Sequence, residues 1–136
     1  MVSKLLFDAS SLLKVLKEKR VDLLRGNYIQ WLTIYEVLNA LWKEVNLVKS
    51  VPGDRAVVFA RVLSQVVGLM RVLDVRGLEE EILETANQLG ITAYDSSYIV
   101  LAKVHGLTLV TEGTKLQSKA GGVVKVASLD KPTQAS

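Results

Sequence analysis

Four carboxylates in this 136-residue chain sit where a packed core has little use for a charge. Asp8 directly follows the apolar run Lys4-Leu5-Leu6-Phe7, and Glu36 lies just past a β-branched and aromatic stretch from Tyr28 to Leu32. Asp95 opens a helical pattern that begins at Thr92, and Glu112 follows Leu107-Thr108-Leu109-Val110-Thr111. Acids gathered in one place either raise each other's proton affinity or enclose a cation. With no cysteine and a single histidine, His105, the ligands would be oxygens, which select a hard ion, Mg²⁺ or Mn²⁺. Such an ion activates water and binds phosphoryl oxygens, so phosphodiester hydrolysis is the chemistry that suits this set.

The same residues also suit helix starts. Thr33-Ile34-Tyr35-Glu36 and Thr92-Ala93-Tyr94-Asp95 both have capping-box spacing, in which the acid reaches back to the N-cap amide. Spacing therefore leaves capping and ligation both open for Glu36 and Asp95. Asp8-Ala9-Ser10-Ser11 reads as a helix start with a serine as N-cap. An acid straight after a buried strand is poorly explained by packing, although it too can cap the helix that follows.

The elements that must position these groups alternate between strand and helix. Lys4–Phe7, Tyr28–Leu32, Arg71–Val75, Leu107–Thr111 and Val123–Leu129 have strand character. Between them, helical periodicity covers residues 11–19, Thr33 to Val48, Asp54 to Met70, Leu78 to Leu89 and Thr92 to His105. Pro52-Gly53-Asp54 is the clearest turn, with Asp54 as cap, and Gly90 and Gly106 close helices. This order implies a parallel sheet covered by helices on both faces, with its site outside the carboxyl ends of the strands. One domain over residues 1–130 and a frayed tail over 131–136 are expected.

Composition narrows the classes further. The net charge of +3 divides into +5 over residues 1–76 (12 Lys/Arg, 7 Asp/Glu) and −2 over 77–136 (5 against 7). A basic half is compatible with a phosphate-bearing ligand. Lys14, Lys17, Lys19 and Arg20 suit either an RNA backbone or plain solvation of a helix face. The lack of cysteine excludes a disulfide framework and fits a reducing, cytoplasmic setting. No apolar run is long enough to suggest a membrane span, and no Gly-rich phosphate loop or nucleophile elbow occurs. A receiver-like signalling domain built on Asp8 would need further acids beside the first strand and a lysine at a late strand end, and neither is found. His105 has the position of a helix C-terminal group, and Trp31 and Trp42 read as packing residues. The helix from Asp54 is apolar over more than half its circumference, through Val57, Val58, Phe59, Val62, Leu63 and Val66 among others. In so small a domain this implies a second protein surface as its cover.

Three blocks resemble the acidic blocks of PIN-domain proteins: Leu6-Phe7-Asp8-Ala9-Ser10, Thr33 to Leu41 around Glu36, and Thr92 to Ala102 around Asp95. Leu107 to Thr111 resembles the block before that family's fourth acid. The length and the Tyr-Asp block look most like the VapC toxin ribonucleases of VapBC toxin–antitoxin pairs. The resemblance implies a PIN-like three-layer α/β/α sandwich with a mostly parallel sheet of four to five strands. It implies a Mg²⁺- or Mn²⁺-dependent endoribonuclease, a homodimer, held inactive by a small antitoxin protein. Asp8, Glu36 and Asp95 would be its metal ligands, with Asn39 and Thr111 as supporting polar groups. The chain departs from the pattern where the fourth Asp belongs: Gly113 stands there, and Glu112, next door, is the candidate replacement. That departure keeps open an alternative, a weakly active or inactive PIN-like module binding RNA or a protein partner.

Overall fold

The computed structural model describes residues 4–129. Five short strands form one sheet: β1 (Leu5–Phe7), β2 (Tyr28–Gln30), β3 (Arg71–Leu73), β4 (Thr108–Val110) and β5 (Val126–Ala127). All pairings are parallel and the order is β3-β2-β1-β4-β5, so β1 lies at the centre. The chain builds outward from β1 to β3 on one side, then returns to lay β4 and β5 on the other. Strand order therefore reverses between β1 and β4, which splays the connections apart and opens a crevice at their carboxyl ends.

The two-residue period of the strands divides the core. Phe7, Ile29, Val72 and Val110 face a cluster built by α1 (Ala9–Lys17), α2 (Trp31–Lys43) and α3 (Gly53–Val67). Leu6, Tyr28, Leu73, Leu109 and Val126 face the other cluster, with α5 (Ala93–His105) and α6 (Thr114–Ala120). The α4 helix (Glu79–Leu89) lies against α5, joined to it by the Ser96 hydroxyl donating to the Ile82 carbonyl at 2.7 Å. This is the expected three-layer sandwich, and the sheet has five strands, all parallel.

Local chemistry moves several expected boundaries. The cap of α1 is Asp8 rather than a serine: its Oδ1 accepts from the Ser11 amide at 3.0 Å. The second strand stops at Gln30 because α2 starts at Trp31, two residues before the expected Thr33. The α-helical part of α2 ends at Lys43, and Glu44–Val48 widens into a π-helical turn. Pro52, not Asp54, holds the cap position of α3, with Asp54 in the first turn where an anion meets the helix dipole favourably. α3 itself ends at Val67, short of Met70, and β3 ends at Leu73 rather than Val75. Val123 and Val124 lie in a turn, leaving β5 with two residues. α6 was not expected, and only the buried pair Leu116 and Ala120, one turn apart, signals it. Trp31 and Trp42 do not pack inward; both are more than half exposed. The expected tail at 131–136 lies outside the described residues.

Leu109 is fully buried at the centre of the sheet, whereas Leu83 on α4 is largely exposed. Leu109→Ala should cost about 3 kcal/mol and Leu83→Ala less than about 0.5 kcal/mol, measured by urea denaturation. Equal costs would contradict this division of the core.

Candidate metal centre at the sheet switch point

The crevice between β1 and β4 is where the polar groups gather. Asp8 follows β1 and is only 8% exposed, while Thr111 follows β4 and is fully buried. The Thr111 hydroxyl donates to Asp8 Oδ2, joining the two strand ends. Asp8 Oδ1 accepts from the Ser10 hydroxyl at 2.7 Å and from the Ser11 amide at 3.0 Å. Ser11 Oγ lies 2.7 Å from the Val110 carbonyl, so α1 is tied to β4 as well. With its orientation fixed at both oxygens, Asp8 cannot turn away from the crevice. A carboxylate has about four lone-pair sites, and Oδ2 accepts one of these bonds, so acceptor capacity remains on it.

Glu36 comes from the middle of α2. The early start of the helix makes Thr33 its third residue, reaching back to the Gln30 amide at 3.2 Å, so Glu36 has no capping role. Its Oε1 accepts from the Tyr98 hydroxyl at 2.6 Å. Asp95 is the third residue of α5, and the Thr92 hydroxyl accepts from its amide at 3.1 Å. Half of the expected capping box is present there. The Asp95 carboxylate itself makes no hydrogen bond among the described residues.

The three acids share one electrostatic field. Desolvation raises the Glu36 carboxyl above its ordinary value; the Tyr98 hydrogen bond opposes this, and the charges of Asp8 and Asp95 add to it. Desolvation and then Asp8 raise Asp95, while Lys115 on α6 pulls it back. Among the described residues no three Asp, Glu, His or Cys side chains close tightly around one point. The donor set still fits a hard divalent ion. It is all oxygen, with open sites on Asp8 Oδ2, on Glu36 Oε2 and on both Asp95 oxygens, and Mg²⁺ is ordinarily held by one or two carboxylates with waters completing its shell.

The other expected site residues lie differently. Glu112 turns away from the three acids: its Oε1 meets Lys14 Nζ at 3.4 Å and its Oε2 accepts from the Leu129 amide at 2.8 Å. Its own amide donates to Ser10 Oγ at 3.0 Å, so the backbone here supports the Asp8 network while the side chain does not. Asn39 is exposed one turn beyond Glu36 and bonds none of the carboxylates. Thr111 is at the heart of the network. Ser10 and Ser11, expected only as cap candidates, instead bond the Asp8 carboxylate; Tyr98 and Lys115 have no role in the sequence reading, and the one signal for Tyr98 is a hydroxyl inside the apolar run that follows Asp95.

A parallel five-stranded α/β domain with an acidic crevice at its switch point is the class defined by fold and site together. Residues 5–122 match the PIN domain, and the chain belongs to that family. Among characterised relatives it is similar to "Exonuclease VapC9" of Pyrobaculum aerophilum, with 41% identity over 72% of this chain and 70% of the relative. Among solved structures it resembles PAE2754 from Pyrobaculum aerophilum, with a TM-score of 0.74 and 33% identity over 96% of this chain and 93% of that one. FitAcB from Neisseria gonorrhoeae shares the fold, with a TM-score of 0.60 and 22% identity over 90% of this chain and 95% of that one.

Raised carboxyl groups mean that the folded protein holds these protons more tightly than the unfolded chain. Their contribution to stability is thus greatest below the ordinary carboxylate values and is lost as pH rises through the raised ones. Between those limits the metal-free protein should lose stability as pH increases, by less in Asp95→Asn, and Mn²⁺ should reverse the loss. Urea denaturation against pH measures this; identical pH profiles for wild type and Asp95→Asn would contradict the shared field.

Proposed function

We propose that this protein is a nuclease that hydrolyses RNA phosphodiester bonds with Mg²⁺ or Mn²⁺ held by Asp8, Glu36 and Asp95. The observation that carries this reading is that Asp8, clamped by Thr111 and the Ser10–Ser11 turn, lies close enough to Glu36 and Asp95 for its charge to raise both. When bound, a divalent ion supplies activation of water and neutralisation of charge on the phosphoryl oxygens. Asp8 contributes a fixed orientation, since its carboxylate is held from both sides. Asp95 stands open at the rim and is the group placed to take a proton from the attacking water. Lys115, whose field reaches Asp95, is placed to meet a backbone phosphate. The PIN family and the VapC relative support the nuclease reading, and the VapC name supports a role as toxin in a pair with a small antitoxin. The substrate is RNA, cut internally, in the cytoplasm; that relative is named an exonuclease, so the mode of cutting is part of the test. Residues 1–130 act as one unit.

A homodimer is proposed through α3, where Val57 is 59% and Val58 51% exposed. Trp31, Tyr35, Leu38 and Trp42 on α2 form a second apolar stripe at heptad spacing and suit a helix of the antitoxin. Light scattering should give a dimer mass that Val57→Glu halves; a wild-type monomer would exclude this interface. The alternative is a weakly active or inactive PIN module that binds RNA or a protein partner. Gly113 at the fourth acid's place and Glu112 held by Lys14 favour it.

Cleavage of linear and circular RNA, with Mn²⁺ and with chelator, separates the readings. Asp8→Asn and Asp95→Asn should each lower Mn²⁺-dependent cleavage at least about a hundredfold while the proteins stay folded, and Glu112→Gln should retain most of it. Gly113 has an ordinary φ of −77°, and a Cβ there would stand 3.5 Å from Thr111 Oγ1. Gly113→Asp should therefore strengthen Mn²⁺ binding, by about tenfold, through added ligand charge. Full activity in both Asp variants would sink the nuclease assignment, and linear-only cleavage would make it an exonuclease.

A further inference from the structure

The hydrogen bonds behind Glu36 run in one direction. The Gln30 amide can only donate, and it donates to Thr33 Oγ1 at 3.2 Å. The single Tyr98 proton is donated to Glu36, so at its 2.9 Å contact with Thr33 the Tyr98 oxygen accepts and the Thr33 hydroxyl donates. The Tyr98 proton goes to Glu36 Oε1 at 2.6 Å. Every bond in this series is polarised toward the carboxylate, and successive bonds so aligned strengthen one another in a low-dielectric setting.

The three residues behind Glu36 have almost no freedom. Tyr98 is 1% exposed, Thr33 is fully buried and Gln30 is 3% exposed. The Gln30 side chain also donates to Ser97 Oγ at 2.8 Å, which donates in turn to the Tyr94 carbonyl at 2.6 Å. β2 and α5 are thereby fastened beside the tyrosine. Glu36, by contrast, is half-buried on a long side chain with several accessible rotamers. The tyrosine engages Oε1 and leaves Oε2 without a hydrogen bond among the described residues.

Resting on the nuclease reading above, we propose that Tyr98 is a positioning residue for Glu36, with Thr33 and Gln30 behind it, presenting Oε2 to the metal ion. Groups of this kind, bonded to a ligand rather than to the ion, typically affect metal affinity by about 10–100-fold. Tyr98 touches neither substrate nor ion.

The test measures Mn²⁺ affinity by electron paramagnetic resonance of the free ion, with folding followed by circular dichroism. Tyr98→Phe should weaken Mn²⁺ binding about tenfold with the fold retained. In a Glu36→Gln background the same change should have no further effect, because Tyr98 acts through that carboxylate. Thr33→Val breaks the series one bond earlier and should weaken binding about threefold, by loss of the aligned upstream bond; it keeps the proposal testable if Tyr98→Phe does not fold. Wild-type affinity in the single variants, or an equal loss with and without Glu36, overturns the positioning role. If Asp8→Asn still loses Mn²⁺ in that case, the nuclease reading stands without it. A wild-type protein that binds no Mn²⁺ removes the metal reading, and the proposal with it.

Discussion

Repulsion among three carboxylates is the constraint around which the rest of the structure is arranged. Asp8, Glu36 and Asp95 come from residues far apart in the chain, yet each of the last two has its proton affinity raised by burial and by the charge of Asp8. Nothing in packing alone favours bringing them together. Hydrogen bonds hold Asp8 and Glu36 in place: Thr111 and the Ser10–Ser11 turn on one, the Gln30–Thr33–Tyr98 series on the other. Asp95 is set by backbone geometry instead, as the third residue of a helix capped by Thr92.

The parallel sheet makes this possible at low cost. Strands of two or three residues suffice because both faces are covered, and alternate side chains feed two separate clusters. β1 and β4 are neighbours whose following connections diverge, so Asp8 and Thr111 come to adjacent strand ends with room above them. α5 runs through the interior with an unbroken buried stretch from Ser96 to Ala102, and that rigidity carries both Asp95 and Tyr98. The hydroxyls of Ser96, Ser97 and Tyr98 all find partners, as buried polar groups must.

Much of this was legible in the residues themselves. Apolar runs ended by acids located the strands and the rim, and their alternation with helical periods implied a parallel α/β sandwich. Local ambiguity lay where two uses of one residue compete. Thr33 matched an N-cap by spacing, but Gln30 takes that place, and the two-residue shift frees Glu36 from capping. Glu112 had the right type and nearly the right position, yet Lys14 and the Leu129 amide hold it, and neither is visible from spacing. Trp31 and Trp42 have the residue type of a packed core, whereas both lie on the outer stripe of α2. Tyr98 lies inside a recognised block without a role, because its meaning depends on Thr33 and Glu36, far away in the sequence and brought within hydrogen-bond reach only by the folded chain.

In the proposed nuclease, one ion site is made by Asp8, Glu36 and Asp95 without Glu112. Anomalous diffraction from crystals soaked in Mn²⁺ tests it directly. A peak is expected in the crevice beside Asp8 Oδ2, within ligand distance of Glu36 Oε2 or the Asp95 carboxylate, directly or through water. A peak at Glu112, or no peak at these acids at saturating Mn²⁺, would contradict it.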